Sequence, residues 1–164
     1  MTTVYLALGS NVGDPASHIE QTVELLSPLL GNLKRAPLYL SKAVGYTDQP
    51  DFVNTAISGT TDLAPETLLG RLKNIEQQIG RTPTFQNGPR EIDIDIILYG
   101  DLDLRTADLT TPHPAFRQRD FVLQPLVDMD PDLVDPVSGQ TVTNLLAKLP
   151  PEQKSIVRRV DAKP

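Results

Sequence analysis

The amino-acid sequence predicts an α+β fold: a ferredoxin-like βαββαβ sandwich, with helices packed on a mainly antiparallel sheet and an additional C-terminal helix and strand segment. Two observations carry that expectation. Short apolar runs bounded by turn residues alternate with two stretches of 3.6-residue periodicity, and two strand-like runs, 33–40 and 52–61, follow one another with no helix between them. The chain has 164 residues, enough to bury one core, so a single domain over residues 1–164 is expected.

The elements follow in order. Residues 4–9, VYLALG, read as a buried strand, and SNVGDP then supplies turn residues ahead of a helix capped by Asp14, with Pro15 at its first position. Ile19, Val23, Leu26 and Leu30 follow the helical period, although Pro28 is expected to kink the helix or end it early. A second strand is expected over 33–40 and a third over 52–61, separated by a loop rich in turn formers. Pro65 opens a second helix whose stripe is Leu68, Leu72, Ile75 and Ile79, and Gly80 ends it. Residues 81–89 form a loop before a strand at 91–98. Beyond Asp101, the segment 110–132 reads as loop and short helix, TVTNLLAKL as an amphipathic helix, and SIVRRV as a last edge strand. The helices of the βαββαβ unit are expected to cover one face of the sheet.

Composition narrows the function. No run approaches the length of a membrane helix, and the start Met1-Thr2-Thr3 lacks the basic opening of a secretory signal, so a soluble cytoplasmic protein is expected. The absence of cysteine excludes thiol chemistry and thiolate metal sites, and two histidines are too few for a histidine-built zinc site, which leaves oxygen ligands for any metal. A net charge of −6 argues against a nucleic-acid binder. Against that acidic background Arg81, Arg90, His113, Arg117 and Arg119 cluster, which points to a small anion held at one place.

The most informative stretch is EIDIDII. Alternation puts Ile92, Ile94 and Ile96 on one side of the strand and Asp93, Asp95 and Ile97 on the other. A wet second sheet face would explain this pattern. However, aspartate is depleted in strands, and like charges along one face repel. Residues two apart on a strand lie about 6.5 Å from one another, so the pair can converge on a hard cation such as Mg²⁺ together with substrate phosphates. Arg81 and Arg90 bracket the loop just upstream, and a guanidinium fork suits phosphate oxygens. His113, between two prolines, reads either as a structural residue or as a phosphate donor, and Glu76 as either a solvated helix residue or a site residue. His18 reads as an exposed helix residue. Phe52 and Asn54 share a strand face and could stack on a flat heterocycle and read its amide-like edge, although aromatic residues are more often core.

Five blocks, LGSNVGD, DQPDFVNTA, IEQQIGR, GPREIDIDIILYG and PHPAFRQRDFVLQPLVDMDPDL, together resemble the 6-hydroxymethyl-7,8-dihydropterin pyrophosphokinase family in order and spacing over nearly the whole chain. The resemblance implies transfer of a pyrophosphoryl group from ATP to the hydroxymethyl oxygen of the dihydropterin, leaving AMP, in folate biosynthesis. It implies two Mg²⁺ ions on Asp93 and Asp95. It also implies a pterin site of Phe52, Phe121, Asn54, Asp95, Asn11 and main-chain groups near Ser41 and Val44. Arg81 and Arg90 would close over the triphosphate as catalytic residues with Asp95. Leu69, Lys73, Glu76, Ile96, Thr110, His113 and Arg119 would complete the ATP site. The loop 82–87, TPTFQN, lacks the basic residues and tryptophan that many members carry there, leaving closure to the two arginines.

Two other classes compete with this reading: a ferredoxin-like module that binds a small ligand without turning it over, and a different Mg²⁺-dependent nucleotide enzyme. The module would tolerate loss of the acidic pair; the other enzyme has no use for Phe52, Asn54 and Phe121 together. A monomer is expected, with ATP and the hydroxymethyl dihydropterin as partners and neither nucleic acid nor membrane among them.

Overall fold

The computed structural model describes residues 1–160. Its centre is β1 (Thr2–Ser10), flanked antiparallel by β4 (Phe52–Thr61) and by β5 (Asp93–Tyr99). Outside β4 lie β2 (Gly31–Arg35) and β3 (Leu38–Ser41), and β8 (Ile156–Val160) pairs with β3 at the far edge. The sheet therefore runs β5-β1-β4-β3-β8, with β2 also beside β4. Helix α1 (Pro15–Leu26) is capped by the Asp14 carboxylate, which accepts from Ser17 N. Helix α2 (Pro65–Ile79) begins at a proline and ends where Gly80 adopts φ +104°, a left-handed geometry that suits glycine. These elements reproduce the expected βαββαβ order.

Three features differ from the expectation. The strand expected over 33–40 is split at Ala36-Pro37: proline has no amide hydrogen to donate, and β2 and β3 pair with opposite halves of β4 on either side of the break. The strand expected from residue 91 begins at Asp93. The helices of the βαββαβ unit cover one face of the sheet, as expected, and the two later helices add a layer on the other. Helices α1 and α2 pack on Val4, Leu6, Leu8, Ile57, Ile94 and Ile96. On the other face α3 (Asp120–Met129) and α4 (Val142–Ala147) bury Ala7, Ala56, Phe116, Leu123 and Leu126. The pairs β6 (Leu104–Arg105) and β7 (Thr110–Thr111) form a small hairpin with no counterpart in the sequence reading.

Two tyrosines on the α3 side of the sheet fasten that second layer. Tyr5 donates to Asp130 at 3.0 Å, and Tyr39 donates to Asp128. Farther along, Arg117 makes a two-pronged ion pair with Asp135, whose side chain is fully buried. Among the described residues no helix is long and apolar enough to cross a membrane.

Candidate active site

Alternation along the strands divides residues between core and cleft. In β1, Leu6 and Leu8 face α1 and α2, whereas Ala7 and Gly9 face the other way. In β5, Ile94 and Ile96 enter the same aliphatic core while Asp93 and Asp95 line the cleft. The registers set Gly9 opposite both Asn54 and Asp93, and Ala7 opposite Asp95 and Ala56. The smallest residues thus form a floor between the acidic pair and Asn54, which makes the surface concave. A Cβ on Gly9 would come within 2.9 Å of Asn54 Oδ1, so the glycine is what lets that amide lie down in the cleft. Asn54 Nδ2 donates to Ser41 Oγ at 2.6 Å, which fixes the orientation of the amide. Phe52 stands on one side and Phe121, in the first turn of α3, on the other; Lys42, Val44, Asn87, Arg90 and Arg119 complete the rim.

The electrostatics centre on the two aspartates. Burial, and then the neighbouring charge of Asp93, push the Asp95 carboxyl well above the usual carboxylate range, partly offset by Arg119. Arg81 reaches Asp93 at 3.2 Å and Arg90 reaches its other oxygen at 3.2 Å. Both guanidinium groups thereby converge on one carboxylate. Arg81 also pairs with Glu76 at 2.9 Å. Glu76, only 8% exposed, accepts from Ile94 N at 2.8 Å and so satisfies an amide on the outer edge of β5; burial raises its pKa against these bonds. His113 accepts from Ala115 N through Nδ1, which leaves the hydrogen on Nε2, 4.0 Å from Asp95. Burial, then the charge of Arg119, lower its pKa to about 4, so at neutral pH the ring is an uncharged donor.

The guanidinium groups also lie against the rings. Arg90 Cζ is 5.8 Å from the Phe52 centroid, and Arg119 Cζ is 5.7 Å from that of Phe121. Two loops close the mouth of the cleft and are tied together. Gln49 donates to Tyr46 O and to Asn87 O, and the Tyr46 and Phe85 rings meet edge to face at 4.9 Å. Gly45, at φ +86°, packs against Asn87, where a Cβ would come within 2.6 Å of the amide nitrogen.

The structure brings Ser41, Val44, Phe52, Asn54, Arg90, Asp93, Asp95, Arg119 and Phe121 around one opening, with Arg81 and His113 beside its acidic pair and Glu76 joined to it through Arg81. Asn11 is placed differently. It is buried between the loops, accepting from Arg90 N and donating to Gln49 Oε1 and Pro50 O, so its amide is taken up in tying the two loops together. Ile96 lies in the aliphatic core on the face opposite Asp95, as alternation requires. Leu69 packs against that core, Lys73 is exposed on α2 and Thr110 lies in β7; none of the three lines the cleft. His18 is half-buried with Nδ1 3.4 Å from Ser10 Oγ, rather than exposed, because the turn at Gly13 folds against its ring. The sequence reading missed Gly9, Gln49, Lys42 and Asn87. Only Gly9, a glycine inside a strand pattern, carried a local signal.

An antiparallel sheet sandwiched by helices, opening on two carboxylates ringed by guanidinium groups, has the make-up of a phosphoryl-group transferase. Relatives specify which. Residues 5–131 match the model of the family described as 7,8-dihydro-6-hydroxymethylpterin-pyrophosphokinase (HPPK). A 2-amino-4-hydroxy-6-hydroxymethyldihydropteridine pyrophosphokinase of Aquifex aeolicus is 44% identical over 137 residues, covering 84% of this chain and 86% of that protein. One of Methylorubrum extorquens is 41% identical, covering 92% and 96%. A folic acid synthesis protein of Schizosaccharomyces pombe is 40% identical over 89% of this chain, which spans only 20% of that longer protein. The fold also matches wild-type Plasmodium falciparum HPPK-DHPS with pteroate, at a TM-score of 0.70 and 17% identity, over 90% of this chain and 42% of that one. The chain belongs to the 7,8-dihydro-6-hydroxymethylpterin-pyrophosphokinase family, enzymes of pyrophosphoryl transfer in folate biosynthesis with ATP as co-substrate.

Proposed function

We propose that this chain, acting as one domain over residues 1–164, transfers the pyrophosphoryl group of ATP to the hydroxymethyl oxygen of 6-hydroxymethyl-7,8-dihydropterin, using a cation site on Asp93 and Asp95. The observation that carries the reading is the acidic pair itself. Asp95 is raised by burial and by the charge of Asp93 beside it, so a divalent cation bridging the pair would relieve their repulsion and hold both carboxylates ionised. Among the described residues no group of three metal-ligating side chains occurs, which suits cations completed by phosphate oxygens. Two Mg²⁺ ions bound there would neutralise phosphate charge and make the attacking hydroxyl more acidic.

The chain's own side chains then position the reactants. Phe52 and Phe121 sandwich the pterin ring, and Asn54, fixed by Ser41, reads its amide edge, with main-chain groups near Val44 alongside. Asn11 holds the backbone of Arg90 in place. When the nucleotide binds, Arg81 and Arg90 exchange Asp93 for phosphate oxygens, and Glu76 keeps the root of Arg81 close. Arg119 and uncharged His113 supply donors to the phosphates from the opposite wall. Leu69, Lys73 and Thr110 act at the nucleotide end, outside the cleft, where Ile96, its side chain buried in the core, offers main-chain groups alone. Such a transfer relies on positioning and charge neutralisation more than on covalent help from the protein.

Incubation with ATP, Mg²⁺ and the hydroxymethyl dihydropterin tests the reading by chromatography of the nucleotide products. AMP and the pterin diphosphate are the expected products; formation of ADP, release of free pyrophosphate alone, or no turnover would overturn it.

A further inference from the structure

Asp120 stands between two residues of the cleft wall, Arg119 and Phe121, yet it does not line the cleft. Its carboxylate is 5% exposed and accepts three hydrogen bonds from the far end of the chain: Ser155 N at 2.9 Å, Ser155 Oγ at 2.8 Å and Ile156 N at 3.0 Å. Ser155 also faces the opposite wall, because its carbonyl accepts from Lys42 N at 2.9 Å and the next residue, Ile156, sits in register with Ser41. Ser41 in turn fixes Asn54. One residue thus connects the start of α3, which carries Arg119 and Phe121, to the end of β3, which carries Ser41 and Lys42. Asp120 lies within the stretch matched by the family model, whereas Ser155 and Ile156 lie beyond residue 131, where that match stops.

We propose that Asp120 and Ser155 are positioning residues that set the width of the pterin slot, locking Phe121 and Arg119 at a defined distance from Ser41 and Asn54. The proposal rests on the assignment of the Phe52 and Phe121 slot to the pterin. Its physical basis is charge-assisted bonding in a buried place. A carboxylate with three backbone or hydroxyl donors is held more firmly than a neutral pair, and α3 has no side-chain cap at Arg119 to hold its first turn otherwise. Loosening this clasp lets the α3 wall drift, so Phe121 no longer keeps a fixed place across the slot from Phe52. The acidic pair on β5 is on the other side of the cleft and keeps its place.

The test compares equilibrium binding of the dihydropterin and of a non-hydrolysable ATP analogue, with kcat, in the full chain. Asp120→Asn, which turns one acceptor oxygen into a donor facing other donors, weakens pterin binding about tenfold. Ser155→Ala, which removes one bond of three, weakens it about threefold. Binding of the ATP analogue, to which Arg119 contributes one donor among several, and kcat at saturating pterin fall by less than the loss of pterin affinity, by at most about threefold in Asp120→Asn. Ser155→Thr, which keeps the hydroxyl, restores parental pterin affinity. Leu145→Ala, on the buried face of α4, lowers the melting temperature without touching pterin affinity. If Asp120→Asn does not fold, Ser155→Ala and its threonine rescue carry the test. The proposal is overturned if Asp120→Asn and Ser155→Ala bind pterin like the parent while Phe121→Ala does not, if ATP binding falls in parallel, or if Leu145→Ala loses pterin affinity equally. If Phe121→Ala itself binds pterin like the parent chain, the slot assignment fails, a different and distinguishable outcome.

Discussion

The two faces of one sheet do different work here. Toward α1 and α2, strands β1, β4 and β5 present Val4, Leu6, Leu8, Ile57, Ile94 and Ile96, a continuous aliphatic surface. Toward the cleft, the same strands present Gly9, Asn54, Asp93 and Asp95 over a floor of Ala7. The difference is a single step in the period of two. It teaches that stability and chemistry are separated by alternation, so a like-charge pair that would weaken a strand is tolerated because its neighbours anchor the backbone in the opposite core.

Substitutions on the two faces should therefore fail in different ways. The largest effect belongs to the acidic face: Asp95→Asn should lower AMP formation by about a thousandfold. Its melting temperature should equal or exceed that of the parent, because a buried like charge is removed. A large loss of stability alongside the loss of turnover would erase the distinction between the faces. On the aliphatic face, Leu6→Ala, at a fully buried site, should cost about 3 kcal/mol by denaturant unfolding. At a temperature where it remains folded, its KM for pterin should be unchanged.

The second helical layer offers a smaller effect that depends on pH. Burial opposes the charge of Asp135, but its bonds from Arg117, Ser138 and Val137 N outweigh that and hold its pKa at about 2, against an ordinary value of 3.8. A depressed carboxyl stabilises the fold above its unfolded pKa and loses that contribution as pH falls through the folded one. About 2 kcal/mol should therefore be lost between pH 4 and pH 2, and Asp135→Asn should flatten that part of the stability profile. The smallest effect tests the floor of the cleft. Gly9→Ala should displace the Asn54 amide and weaken pterin binding about tenfold, read by fluorescence titration, while unfolding stability changes little.

Much of this arrangement could be read locally. The bounds of β4, the proline and glycine that frame α2, and the opposed faces of β5 each follow from residues adjacent in sequence. Other features depend on contacts between distant segments and leave no local mark. Glu76 continues the buried stripe of α2 only because the edge amide of Ile94 lies beneath it. Gln49 and Asn87 meet across two loops with no shared periodicity. The layer of α3 was obscured by Pro125, which cannot donate to the Phe121 carbonyl but is accommodated inside the helix. Asp120, read from sequence alone, is an ordinary acidic residue in a first helical turn; its partners are thirty-five residues away.

The claim that joins these observations is that the chemical face of the sheet is organised around a cation shared with the nucleotide. It is tested most directly by titrating Mn²⁺, in place of Mg²⁺, into the chain with a non-hydrolysable ATP analogue and following bound ion by electron paramagnetic resonance. The account predicts two ions bound per chain in the ternary complex, and loss of that binding in the Asp93→Asn, Asp95→Asn double variant with its fold intact. Equal Mn²⁺ binding by the parent and the double variant would contradict it.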